Sequence, residues 1–204
     1  VHGGEGSLTF TGGLPDLGST LLVNLEGVFR VSGEKERYVK DLQVRGGTLM
    51  FDDAGIVHMN AKGDASVPAT KWQVGGTGVE ASAPARMIAK GNSCLIANVP
   101  AGGTQQKGGL RIEETASQGA ILEVYSGAAV TNTIHVGENT NTRGAVYQHG
   151  GEVYNSSVNN NDAYCGCEHG SYGYYGLYDG KFFFRSLFAC NYYADSTGIF
   201  EQRG

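Results

Sequence analysis

Apolar and polar residues alternate along much of this chain, and the alternating runs end at glycine. The pattern appears as LTFTGGL (Leu8–Leu14), FRVSGEK (Phe29–Lys35), LQVRGGTL (Leu42–Leu49) and WQVGGTGV (Trp72–Val79). It returns as QKGGLRI (Gln106–Ile112), ILEVYSGAAV (Ile121–Val130) and AVYQHGGEV (Ala145–Val153). Alternation marks a strand with one buried face. A glycine at its end supplies the positive φ or the close backbone approach that a sharp corner needs. Helical patterning is scarce. EKERYVKDLQV (Glu34–Val44) fits a short helix or a polar strand, and SAPARMIAKG (Ser82–Gly91) fits a single turn after Pro84.

From Ile134 the alternation becomes a repeat. IHVGENTNTRGAVYQHGGEV, AYCGCEHGSYGYYGLYDGKF from Ala163 and FACNYYADSTGIFEQRG from Phe188 align without a gap. Val136, Cys165 and Cys190 share one column, Gly144, Gly173 and Gly198 a second, and Gln148, Leu177 and Gln202 a third. The turn column reads Gly150, Asp179 and Gly204. Successive units open at Ile134, Ala163 and Phe188, with an irregular spacer before each new one. A period within the range of roughly 20–50 residues predicts a stack in which each unit covers the apolar face of the last. The composition shifts near Gly119, so residues 1–118 read as an irregular β region or decorated early rungs, and residues 119–204 as regular repeats. One continuous β domain is the favoured organisation.

Composition narrows the class further. Gly is abundant at 33 of 204 residues and Pro sparse at 4, with no glycine at every third position, which excludes collagen. Apolar residues at 40% and charged ones at 17% argue against disorder. A formal net charge of −5 argues against a nucleic-acid partner, which would want a basic stripe. No apolar run reaches the roughly 18 residues of a transmembrane helix. The first residues, VHGGEGSLTF, carry no signal-peptide pattern, and TGIFEQRG stops at the turn position of a unit, as a fragment of a longer chain would.

Units reading G-x-x-x-Q-x-G-G-x-apolar are carried by Gly144, Gln148, Gly150 and Gly151, then by Gly173, Leu177, Asp179 and Gly180, and finally by Gly198, Gln202 and Gly204. They resemble the β-strand repeats of autotransporter passenger domains and related secreted surface proteins. Asp179 in place of the turn glycine and Leu177 in place of glutamine depart from the pattern. The resemblance implies a right-handed parallel β-solenoid (β-helix) exported to the cell exterior or surface. It implies no catalytic residue and no cofactor.

Candidate chemistry concentrates in the repeats. In an extended strand Cys165, Cys167 and His169 point the same way, and the repeat places Cys190 beside Cys165. Three thiolates and an imidazole suit zinc. A disulfide from Cys190 to Cys165 or Cys167 also fits, since neighbouring rungs lie about 4.8 Å apart. Free thiols in an inward apolar column are the third reading, and Cys94 reads as a small buried residue. Tyrosines crowd residues 164–193, and some of Tyr172, Tyr174, Tyr175, Tyr178, Tyr192 and Tyr193 must face outward, where their rings can stack on sugars or anchor a neighbouring protein. The alternative is a wall of aromatics covering the protein's own flank. Glu113 with Glu114, and Asp52 with Asp53, are adjacent pairs that an extended strand splits across two faces, which unsuits them as acid and base flanking one bond. The Thr-Asn-Thr runs at 131–133 and 140–142 do not recur in later units, so no flat threonine array forms. Asn155 lies in an Asn-Ser-Ser glycosylation pattern.

The sequence thus points to an extracellular structural or adhesive surface element, a fragment or filament-forming subunit of a longer solenoid. Its partners would be its own copies, end to end or laterally, or a surface glycan. A glycan-binding module is the second reading, and a polysaccharide lyase or hydrolase on a β-helix the third.

Overall fold

The alternating runs do form strands. A computed structural model describes residues 2–3, 6–11, 16–59, 72–76, 83–96, 109–115, 119–131, 133–155, 163–184, 188–190 and 193–203. Among these, β1 (His2–Gly3), β2 (Ser7–Phe10), β3 (Leu17–Val31), β4 (Arg37–Asp52), β5 (Gly55–His58) and β6 (Trp72–Val74) come first. Then follow β7 (Ala85–Lys90), β8 (Ser93–Ile96), β9 (Leu110–Ile112), β10 (Ala120–Val124), β11 (Ala129–Thr131) and β12 (Ile134–Val136). The last are β13 (Arg143–Asn155), β14 (Ala163–Cys165), β15 (Tyr172–Phe184), β16 (Phe188–Cys190) and β17 (Thr197–Gln202). The described residues contain no helix. Both segments with helical spacing are strands, because burial alternates along β4 and tertiary pairing overrides the local preference.

The expected right-handed β-solenoid, or β-helix, is corrected by the pairing. The contacts β4–β5, β5–β8, β8–β11, β11–β13, β13–β10, β10–β7 and β7–β4 return to the strand where they began. The sheet therefore closes into a seven-stranded parallel β-barrel, with the other strands outside the ring. Closure follows from two long strands that each serve two rows. Within β4, Arg37 and Tyr38 pair with β5, while Gly47 to Asp52 pair with β7. Within β13, Gly144 to Gln148 pair with β10, while Glu152 to Tyr154 pair with β11. Left-handed glycines sit between the halves, Gly47 at φ 71° and Gly151 at φ 70°, where a side chain would be strained.

The repeat columns are hydrogen-bonded neighbours. Val136 pairs with Cys165 and Cys165 with Cys190. Gly144, Gly173 and Gly198 are aligned, as are Gln148, Leu177 and Gln202. The turn column slips by one: Asp179 faces His149 and not Gly150, because Tyr178 is an extra residue in β15 opposite an unbroken stretch of β13. One apolar core runs through the molecule. Val23, Val44, Val74, Ile112, Val136 and Cys165 form one file of it, and Phe29, Leu49, Met87, Leu122, Val146 and Tyr175 a second. All of these side chains are buried. Each large one withdrawn from water contributes roughly 1.5–3 kcal/mol before the entropy of ordering is set against it.

Candidate functional site

Between these strands a turn recurs with its own chemistry. The N–H groups of Thr142, Ser171 and Ser196 donate to the carbonyls of Asn139, Glu168 and Tyr193 at 3.1, 3.0 and 3.1 Å. The Thr142 and Ser196 hydroxyls donate to the same carbonyls at 2.7 Å. All three side chains are buried. Two residues after each hydroxyl stands a column glycine, where the backbone of the preceding pass crosses closely. A Cβ on Gly144 would lie 1.9 Å from the Ile112 carbonyl oxygen, and one on Gly173 would lie 2.5 Å from that of Val136.

This corner brings Arg143, Tyr172 and Thr197 side by side, as successive partners on β13, β15 and β17. Because their chain neighbours Gly144 and Gly173 are buried, the three project outward. Beside them Ile121 pairs with Ala145, also on the outer face. The result is an open groove of about 560 Å³. Its floor is small and apolar, with Ala145 and Ile121 flanked by Gly119 and Gly144. Arg143, Tyr172, Thr197 and Asp195 stand along one side and Tyr147 along the other. Tyr172 is 39% exposed. The Asp195 carboxylate is held by His169 Nδ1 at 2.7 Å.

Beside the groove runs an aromatic ladder that Tyr147 also joins. Tyr125, His149 and Tyr178 stack with ring centroids 5.0 and 5.2 Å apart, and the Arg203 guanidinium lies 5.4 Å over Tyr178. Tyr147 and Tyr174 join this ladder at 5.5 Å. The Tyr174 hydroxyl bonds Tyr178 at 2.9 Å and donates to Glu201 at 2.6 Å. Burial first, then the bond to Glu201, pushes its phenol well above its ordinary value. Burial likewise raises Tyr147. Tyr175, expected among the candidates for an outer surface, is fully buried and points inward. Tyr193 packs on His169 at 4.3 Å, and Tyr192 lies outside the described residues. The aromatic crowd therefore divides, with Tyr172 at the groove and most of the others covering the protein's own flank.

The cysteine cluster does not assemble as a straight strand would have it. The strand ends at Cys165, and Gly166 turns the chain at φ 66°. Cys165 and Cys167 are both buried, while His169 is exposed and hydrogen-bonded to Asp195. Cys165 Sγ donates to the Ile199 carbonyl at 3.5 Å. Burial, then Glu168 and Glu138, pushes the Cys167 thiol up to about 11, so it is protonated at neutral pH. The Cys190 side chain lies outside the described residues, though its backbone pairs with Cys165. No three of His, Cys, Asp and Glu converge as metal ligands among the described residues.

A second polar cluster lies buried on the outer face of the row containing β9 and β12. Arg111 approaches Glu113 at 3.6 Å and Glu138 at 3.3 Å, and His135 approaches Glu138 at 3.5 Å. Glu113 accepts the Asn139 N–H at 3.1 Å and its side-chain amide at 2.7 Å. Its neighbour Glu114 accepts the Gly76 N–H at 2.9 Å. Both carboxylates thus secure turns. The adjacent glutamates and the alternation of Arg111 with Glu113 were visible in the sequence, but nothing local signalled that this side of the row is covered.

The class defined so far is an all-β protein built on a closed parallel sheet, with an outward groove at a repeated corner. No family model, curated protein or solved structure matches the chain.

Proposed function

We propose that this protein is a carbohydrate-binding β module, with the groove between Tyr147 and Tyr172 as its site. The groove joins a narrow apolar floor to aromatic and hydrogen-bonding walls. A pyranose ring offers the matching surface: an apolar face for Ile121, Ala145 and the tyrosine rings, and hydroxyls around its edge for Arg143, Asp195 and Thr197. The rigid strand scaffold holds these groups before any ligand arrives, which lowers the ordering cost of binding. The observation that carries the reading is that Arg143, Tyr172 and Thr197 fall on consecutive strands beside a floor too small to fill the space itself. An adhesive surface element would use this same groove as its contact.

The test is a polysaccharide panel with isothermal titration on the wild type, Tyr172→Ala and Ala145→Trp. Exposed on one side of the groove, Tyr172 can be truncated without opening the core. The Trp variant fills the floor. Both are expected to weaken binding by about tenfold or more. A wild type that binds no glycan, or binding untouched in both variants, refutes the proposal.

A further inference from the structure

Arginines elsewhere in the described residues are all engaged. Arg30 meets Asp52 at 2.6 Å, Arg86 meets Glu123 at 2.5 Å, and Arg203 meets Glu201 at 2.6 Å. Arg111 lies between Glu113 and Glu138, Arg45 donates to Gln43 at 2.9 Å, and the buried Arg37 donates to the carbonyl of Lys35. Arg143 is the exception. Its backbone is fixed, since its N–H donates to the Glu114 carbonyl at 2.8 Å and its own carbonyl accepts from Glu114 at 3.0 Å. Its exposed guanidinium makes no hydrogen bond or ion pair with any described residue, and it lines the groove.

We infer that Arg143 is a carboxylate anchor and that the ligand is an acidic polysaccharide containing hexuronate residues. The inference rests on the carbohydrate reading of the groove and names its ligand class. A guanidinium presents a planar fork that matches a carboxylate with two parallel N–H···O bonds, a fit that a ring hydroxyl offers only singly. A free fork on an ordered strand is already set for that geometry. The adjacent ring of Tyr172, one strand along, supports the sugar that bears the carboxylate. Thr197 lies one strand further, so the arginine and the Thr197 hydroxyl stand roughly two strand spacings apart, about 10 Å. That span suits a short oligosaccharide lying across the strands, its carboxylate on Arg143 and a neutral edge toward Thr197. Among the described residues lining the groove, the one carboxylate, Asp195, is at the Thr197 end and is already bonded to His169, so it leaves the arginine end free for an anion.

The experiment titrates the intact chain with polygalacturonate, polymannuronate and hyaluronan, and with each polymer after its carboxyls are reduced to primary alcohols. Wild type, Arg143→Gln and Tyr172→Ala are compared. The wild type is expected to bind at least one native polymer about tenfold or more tightly than its reduced form, and to weaken as salt is raised. Arg143→Gln is expected to erase that preference, bringing binding of the native polymer down to that of its reduced form. Tyr172→Ala lowers binding to both forms. Equal affinity for native and reduced polymers, or an Arg143→Gln protein that binds like wild type, overturns the acidic-sugar inference and leaves the groove standing. Binding to neutral glycans alone overturns it equally. Failure to bind any polymer, acidic or neutral, removes the groove reading together with it.

Discussion

Gln148 gives the most exacting test of how the repeat holds this fold together. It occupies an inward column that carries Val124 on one side and Leu177 on the other, yet its amide is fully buried. Nε2 donates to the Lys181 carbonyl at 3.0 Å and to that of Gly151 at 3.3 Å, and Oε1 accepts the Tyr175 hydroxyl at 2.8 Å. The glutamine therefore closes the bend where β13 passes from one row to the next. Gln148→Leu, which copies the next residue of its own column, removes all three bonds. A buried polar group that loses a partner costs about 1–3 kcal/mol, and the added apolar burial returns about 1 kcal/mol. With three bonds lost at about 1 kcal/mol each, the low end of that range, the expected net loss is about 2 kcal/mol or more, or a melting point lower by roughly 4–8 °C or more for a chain of this size. Tyr175→Phe alone removes one bond and is expected to cost about 1–2 kcal/mol. The double variant should cost less than the sum of the two, since the tyrosine–glutamine bond is lost only once. Denaturant titration followed by circular dichroism, at constant m-value, measures all three. A Gln148→Leu protein as stable as wild type, or strictly additive single variants, would refute this account of the corner.

Two further expectations concern the backbone crossing and the buried histidine. Gly144→Ala places a methyl 1.9 Å from a backbone oxygen that no side-chain movement can relieve, so it is expected to cost about 2 kcal/mol or more; a melting curve unchanged from wild type contradicts the close approach. Burial, and next to it Arg111, lowers the His135 imidazole to about 4 from 6.5, with Glu113 opposing. Between those values the unfolded chain binds the proton that the folded chain refuses, so stability falls as pH drops from 6.5 toward 4, by up to about 3 kcal/mol from this residue. His135→Gln should flatten that part of the stability profile, read as urea midpoints at pH 7 and 4.5; an equal fall in both proteins would show that His135 is not its source.

What could be read from the sequence was the local register of the last three units. Their columns survive because strand, corner and hydroxyl turn keep the same spacing from Val136 to Gln148 and from Cys165 to Leu177. The register slips at the point where this spacing fails, at the extra Tyr178. Earlier partners were hidden by irregular intervals. Trp72 pairs with Leu110 and Leu110 with Ile134, so the second step along the chain is much shorter than the first. The strands that meet there are also too short to carry enough alternation to announce themselves. Closure was hidden for another reason: nothing in Arg37–Asp52 says that its two ends join different neighbours, because alternation continues on both sides of the Gly46–Gly47 bend.

The groove was the hardest feature to foresee, and its residues explain why. Tyr172 stood out as one tyrosine among many, whereas Arg143 and Thr197 are ordinary in composition and each lies a whole repeat away from it along the chain. Their meaning comes from a column one position before the recurring Gly144, Gly173 and Gly198, read across the strands and not along them. At that column the glycines force the corner to be tight, and tightness keeps the neighbouring outward side chains in one file. The residues that follow on the same face, Ala145 and its partner Ile121, leave space beside it. On the next strand the partner of Ala145 is Tyr174, whose hydroxyl donates to Glu201 and fills the surface. Similar corners on neighbouring strands thus yield a packed aromatic flank and an open groove from one rule of register, and the difference rests on the size of the outward residue two positions past the column, Ala145 in one strand and Tyr174 in the next.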